Sequence, residues 1–312
     1  MRILSLFCGC GGLDKGFLNA GYNIVWANDF DKFAVETYRK NFGDNVVLAD
    51  INDVDLKTLP EFDVLIGGFP CQPFSVMGEE KGFEDARGTL FFRIAEIVKH
   101  KIEHGARPKV IVLENVRSLR THDKGRTFKT IKRILQEELG YKVFESILNT
   151  ADYGIPQTRN RTYIVCFADK KADFRFPQKV ELTTTLQDLL EKDVDEKYFL
   201  SDKMICTILS NGTGGFKAKS ETDLTVARPL CATMAKMHRA CQDNYVTQNG
   251  RIRRLTPREC ARLQGFEDTF CIPVSDSQAY KQFGNAVTVN VAEAVARSIR
   301  TELEQLGEWN DL

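Results

Sequence analysis

The chain has 312 residues, enough for about two domains, and its 43% hydrophobic and 28% charged content is that of a folded protein, not a disordered or collagen-like one. Forty-three Lys and Arg balance forty-three Asp and Glu, which excludes a protein that coats nucleic acid by bulk charge but allows a local basic patch. No run approaches the roughly 20 apolar residues of a membrane span. Residues 1–7 turn at once into a Gly/Cys loop without a signal-peptide cleavage pattern. Nine irregularly spaced cysteines read as reduced thiols, so the expected compartment is the cytoplasm.

In chain order, the first half alternates strand and helix as an α/β domain does. Strands are expected at 2–7, 22–28, 46–49, 64–67, 110–114, 142–148 and 162–167, and helices at 13–20, 32–41, 90–104 and 129–139. The run 110–114 is continuously apolar, as in a strand buried on both faces. After Asp169 the rhythm breaks. Residues 183–200 are charged with one weak helix, and 211–216 is a loop sequence. Thr256 then N-caps a helix over 257–263, and 286–303 is a strongly patterned closing helix. The pattern predicts a doubly wound, mostly parallel sheet in residues 1–173, a smaller irregular module in 174–282, and a last segment, 283–312, that returns to the first domain.

The middle module is electrically distinct. Between Phe216 and Arg262 stand Lys217, Lys219, Arg228, Lys236, Arg239, Arg251, Arg253, Arg254, Arg258 and Arg262, against only Glu221, Asp223, Asp243 and Glu259. A charge cluster is ordinarily a solvated face, and alone it is a weak nucleic-acid footprint.

Chemistry-bearing residues gather after the predicted strands. Phe7-Cys8-Gly9-Cys10-Gly11-Gly12 follows strand one and opens a helix, and glycines there let the backbone approach a ligand. Asp29 ends strand two, where nucleotide-binding α/β folds hold a ribose diol. Phe30 is placed to stack on an adenine, and Asp50-Ile51 after strand three to hold the base edge. The loop lacks pyrophosphate-type glycine spacing, so the set favours an adenosine cofactor without a pyrophosphate. S-adenosylmethionine fits, with a dinucleotide as the competitor.

Strand four leads into Phe69-Pro70-Cys71-Gln72-Pro73-Phe74-Ser75. Strands one and four are neighbours where the winding of such a sheet reverses, and ligands bind outside their carboxyl ends. A cysteine in a stiff loop between prolines exposes its side chain, so Cys71 reads as a nucleophile; Cys166, Cys206, Cys260 and Cys271 read as small buried hydrophobes. Glu114 and Asn115 end the buried strand and point to the same crevice mouth. Gln157 and Arg159-Asn160-Arg161 precede the last strand, where alternation puts both arginines on one side. Cys8/Cys10 and His100/His104 have ligand-like spacing but no partners for a four-ligand site, so no metal is expected.

With these residues in view, the chain resembles the cytosine-5 DNA methyltransferase family in its compact bacterial, restriction–modification form. FCGCGG, GFPCQPFS, ENV, QTRNR, RRLTPRECARLQGF and QFGNAVTVNV match that family's blocks in type and order, from residue 2 to about residue 300. The departures are Asp29 and Phe30, where the family usually has Glu and commonly Trp. The resemblance implies the S-adenosylmethionine-dependent methyltransferase fold, with residues 1–173 as catalytic and cofactor-binding domain and 174–282 as target-recognition domain. It makes Cys71 the nucleophile that adds to carbon 6 of cytosine, splitting one hard step into easier ones. Arg161 and Arg159 would favour the thiolate, and Glu114 would share a proton with ring nitrogen 3. Pro70, Asn285 and Val287 match family positions at the cofactor. Phe69, Gln72, Ser75, Asn115 and Gln157 fall on the base side, with 74–87 as a closing loop. The target base must leave the duplex, and Lys236, Arg239, Arg251, Arg253 and Arg254 are the expected DNA contacts. The implied partner is double-stranded DNA, the implied state a monomer, with a cognate restriction endonuclease in the same system. The alternatives are the same core acting on tRNA and a catalytically dead DNA-binding homologue. The presence of Cys71, Glu114 and Arg161 together disfavours the latter.

Overall fold

The computed structural model describes residues 1–70, 90–210 and 219–309. The chain forms two compact units. One comprises Met1–Leu148, Asn160–Gln178 and Ala292–Leu312; the other comprises Asn149–Arg159 and Lys179–Val291. Residues 149–159, which carry Gln157 and Arg159, thus belong to the second unit, although the strand alternation of the sequence runs through them.

The first unit is built on a seven-stranded sheet: β1 (Arg2–Leu6), β2 (Asn23–Asp29), β3 (Val46–Leu48), β4 (Val64–Gly68), β5 (Val110–Val116), β6 (Lys142–Asn149) and β7 (Asn160–Phe167). Their order across the sheet is β3-β2-β1-β4-β5-β7-β6. The first five strands run parallel and β7 runs antiparallel to β5. Val110–Leu113 are wholly shielded from solvent, as the uninterrupted apolar run requires of a strand covered on both faces. β1 lies beside β4, so the strand order reverses there and a crevice opens outside their carboxyl ends.

The flanking helices are α1 (Gly12–Asn19), α2 (Lys32–Phe42), α3 (Leu90–Glu103), α4 (Arg126–Arg133) and most of α8 (Val289–Gln305). Asp31 caps α2 by accepting from the Phe33 amide, which stops β2 and starts the helix within two residues. The helix expected at 129–139 starts earlier, at Arg126, and relaxes into a π-turn over Ile134–Glu138. The C-terminal helix docks on the first one's exit: Tyr22 donates its hydroxyl to the Ala296 carbonyl at 3.2 Å, and Asn19 bonds Glu293 at 2.9 Å. Among the described residues no helix is long and apolar enough to cross a membrane.

The second unit is less regular and more polar inside. It contains α5 (Asp202–Ile208), α6 (Pro257–Leu263), α7 (Asp276–Asn285) and a hairpin of β8 (Tyr245–Gln248) with β9 (Arg251–Arg254). The hairpin was not evident from periodicity, yet Asn249-Gly250 turns it, both at positive φ (52° and 74°), as a two-residue primed turn demands. The weak helix expected in 183–200 is instead two 3-10 turns, Gln187–Leu189 and Glu196–Tyr198. The closing helix begins at Val289 and not at 286, because α7 runs to Asn285 and its end occupies the preceding residues.

A buried ion pair organises this unit. Arg253 and Glu259 are both fully buried and meet through two bonds, 2.8 and 2.6 Å. Glu259 also completes a capping box with Thr256, the expected N-cap, and accepts the Glu191 amide. Arg253 further bonds Gln248 and the Arg254 carbonyl. Removing one partner leaves an uncompensated buried charge. Glu259→Ala is therefore expected to lower stability by about 3–5 kcal/mol in urea unfolding, and replacing both residues by Met to recover part of that loss.

Candidate active site

The glycine loop leaves β1 with Phe7 in the left-handed region (φ 55°), a conformation that is costly for an aromatic residue. Gly9 and Gly11 follow at φ 56° and 90°; a Cβ on Gly11 would stand 2.2 Å from the Phe42 ring, while the space over Gly9 is open. Gly12 begins α1. Asp29, at the end of β2, ties this loop down: its Oδ2 accepts the Gly9 amide at 2.8 Å and its Oδ1 the Asp31 amide at 2.8 Å. Burial raises the Asp29 pKa against these bonds, which pull it down. A carboxylate has about four acceptor directions, so these bonds do not exhaust it.

Phe30, the next residue, is 72% exposed, an unusual place for an aromatic ring unless something lies on it. Asp50 is exposed and uses Oδ1 to cap the turn Ile51–Asp53, and Ile51 is buried beneath it. Together, Phe7, Gly9, Asp29, Phe30, Asp50 and Ile51 all sit at the carboxyl ends of β1, β2 and β3, as the sequence places them.

The second half of the rim is made by β4, β5 and β7. Gly68 lies directly across from Glu114 in the parallel register, and Phe69 and Pro70 continue from it. Asn115 donates to the Phe69 carbonyl at 2.7 Å and accepts its neighbour's amide at 2.8 Å, so it holds this stem in place. Phe69 is buried and Pro70 exposed. Arg161 reaches Glu114 from β7, Nε to Oε1 at 3.1 Å, with the carboxylate nearly enclosed. Cys71, Gln72 and Ser75, with the rest of the loop expected at 74–87, lie outside the described residues.

Arg159 does not share these bonds. Fully buried, it donates to the carbonyls of Leu230, Gly284 and Ala286 at 2.8–2.9 Å, which makes it a brace of the second unit. The expectation that it stands beside Arg161 fails because it precedes β7, outside the alternation. Gln157 is likewise fully buried, donating to the Leu263 carbonyl and accepting the Leu230 amide. Asn285 is exposed at the end of α7, and Val287 is buried.

The basic module is less cationic once folded. Arg251 forms two bonds to Glu196, a partner 55 residues upstream, and stacks on Phe199. Arg253 is buried with Glu259, so it presents nothing to a phosphate. Arg228 meets Glu221, Arg262 meets Asp268, and Arg258 caps two carbonyls. Arg254 is half-buried between the rings of Tyr198 and Tyr280, with no ion pair among the described residues. Lys236 is exposed and Arg239 half-buried, and neither is paired with a carboxylate among the described residues.

Among the cysteines, burial raises the thiol pKa of Cys8 and pushes Cys10 up to about 12, so both are packed, inert thiols. Cys166 and Cys260 are buried as expected, but Cys206 and Cys271 are exposed. The rings of Phe270, Phe266 and Phe283 pack together and take the interior place next to Cys271.

An open sheet in this order, with an acid-anchored glycine loop and an acid–arginine pair on its carboxyl rim, defines an α/β methyltransferase of the S-adenosylmethionine-dependent fold. The model of the C-5 cytosine-specific DNA methylases matches residues 1–301, and the chain belongs to that family. It is 41% identical to the Type II methyltransferase M.NlaX of Neisseria lactamica over 98% of each chain. It is 38% identical to M.HhaI of Haemophilus parahaemolyticus over 97% of this chain and 95% of the other. In fold it is similar to the crystal structure of the Schizosaccharomyces pombe Dnmt2 methyltransferase, with a TM-score of 0.78 at 22% identity over 98% of this chain and 99% of that one.

Sequence reading passed over Asp14, which lies fully buried in the first turn of α1 beneath the glycine loop. Its carboxyl accepts from the Tyr38 and Ser5 hydroxyls at 2.8 and 3.0 Å. Burial outweighs both donors and pushes its pKa up to about 6. A folded-state value above the unfolded one means that stability is lost as pH rises from about 4 to about 6, and the loss is complete above that. Asp14→Asn cannot ionise. Its stability relative to the natural protein is expected to rise by about 3 kcal/mol between pH 4 and pH 7 in urea unfolding; a flat difference would contradict the burial argument.

Proposed function

We propose that the chain transfers a methyl group from S-adenosylmethionine to carbon 5 of a cytosine flipped out of duplex DNA, through a transient bond to Cys71. It would do so as the modification half of a Type II restriction–modification system, the class to which M.NlaX and M.HhaI are assigned. The observation that carries this reading is the Glu114–Arg161 pair placed across the sheet from Gly68, whose chain leads through Phe69 and Pro70 directly to Cys71.

The rim over β1–β3 fits the cofactor: an exposed ring for the adenine, an acid with free acceptor directions for the ribose, and open space above Gly9. When bound, S-adenosylmethionine supplies an electrophilic methyl group. The chain's own residues do the rest. Cys71 adds to carbon 6, which makes carbon 5 nucleophilic. Glu114, held by Arg161, offsets charge that develops on the ring by sharing a proton at nitrogen 3. Loss of the carbon-5 proton then expels the Cys71 thiolate. Asn115 acts on this chemistry by positioning the stem of the nucleophile's loop.

Residues 174–282 serve as target-recognition domain in this reading, with Lys236, Arg239 and Arg254 as the cations left available for DNA. The protein works as a cytoplasmic monomer beside a cognate endonuclease.

Duplex DNA carrying 5-fluorocytosine in the modified site is expected to trap the protein covalently, and Cys71→Ser to abolish the trap. Tritium from labelled cofactor appearing in tRNA and not in duplex DNA would overturn the substrate assignment. Glu114→Gln is expected to lower kcat by about 10²–10⁴. Phe30→Ala is expected to weaken S-adenosylmethionine binding by roughly 5- to 150-fold, the worth of one aromatic–base stack, in a calorimetric titration.

A further inference from the structure

One stretch of the first unit is dense in cations. Directly after the carboxyl end of β5, residues 117–133 carry Arg117, Arg120, Lys124, Arg126, Lys129, Lys132 and Arg133 against a single acid, Asp123. Two 3-10 turns, Arg117–Arg120 and His122–Gly125, lead into α4, and all three pack against one another. α4 buries Thr127, Phe128 and Ile131 and turns Arg126, Lys129 and Arg133 outward at the i, i+3, i+7 spacing of one helix face.

Four of the seven cations are paired: Arg120 and Lys132 with Glu145, Arg126 with Asp123, and Arg133 with Glu138. Arg117, Lys124 and Lys129 are exposed and have no carboxylate partner among the described residues. Arg117 stands three residues beyond Glu114, so its Cα lies within about 11 Å of that residue's Cα.

We propose that this basic rim, through Arg117, Lys124 and Lys129, is a phosphate-binding surface that holds the backbone of duplex DNA beside the Glu114 site. The partner is a polyanion with closely spaced charges: isolated surface cations gain little from single anions, but each contact to a duplex releases condensed counterions. The inference rests on duplex DNA being the substrate.

The test compares the full chain with Arg117→Ala/Lys124→Ala/Lys129→Ala and with a control that removes the same charge elsewhere, Lys40→Ala/Lys57→Ala/Lys170→Ala. Duplex affinity is measured by fluorescence anisotropy from 50 to 200 mM salt, and methylation with tritiated cofactor. The rim variant is expected to lower the slope of log affinity against log salt by about 2–3. Its KM for DNA should rise while kcat at saturating DNA stays unchanged, and the control should keep the natural slope. An unchanged slope, or a loss of tRNA binding with duplex binding intact, would overturn the rim and leave the substrate reading standing. A natural protein that labels no DNA at all would overturn the substrate reading itself.

Discussion

One hydrogen bond fixes the geometry on which the catalytic reading depends: the Asn115 side chain to the Phe69 carbonyl. Parallel pairing of β4 with β5 sets Gly68 against Glu114, but pairing ends there, and the chain beyond Gly68 would otherwise be free to leave the sheet in any direction. The Asn115 amide extends the tie by one residue past the ladder. It fixes where the segment leading to Cys71 departs, relative to the acid that Arg161 holds. A neutral hydrogen bond contributes only about 1 kcal/mol to stability. Its larger effect is on orientation, because misplacing a reacting group by about an ångström costs far more in rate than in fold.

The two halves of the rim solve the same problem by the same means. Asp29 at the end of β2 captures the Gly9 amide, and Asn115 at the end of β5 captures the Phe69 carbonyl. In each case a short polar side chain just past a buried strand fastens the loop after a neighbouring strand. The apolar sheet supplies rigidity, and polar residues at its carboxyl edge convert that rigidity into fixed loop positions. This is why an open parallel sheet can carry chemistry at one edge.

Much of the first unit was legible in the sequence because its signals are local. Continuous apolar runs gave β4 and β5, and Thr256 before Pro257 marked the start of α6. The second unit was harder for a reason visible in particular residues. β8 and β9 read Tyr-Val-Thr-Gln and Arg-Ile-Arg-Arg, without apolar alternation, although Tyr245 and Ile252 join a small hydrophobic cluster with Leu200 and Ile208; only Asn249-Gly250 marked the turn. Arg253 reads as a surface cation until Glu259 and Gln248 are seen around it. Arg251 does so until Glu196 arrives from far upstream. Charge counted along a chain is therefore a poor guide to charge displayed by the fold, and the roles of Gln157 and Arg159 as braces were hidden for the same reason.

The docking of α8 beside α1, through Tyr22 to Ala296 and Asn19 to Glu293, has a consequence for how the protein comes into being. Asn19 and Tyr22 each wait for a partner 274 residues further along the chain. Both segments of the second unit, Asn149–Arg159 and Lys179–Val291, precede those partners, so its core can form first. During translation the end of α1 that receives this helix must wait, open to solvent and to chaperones.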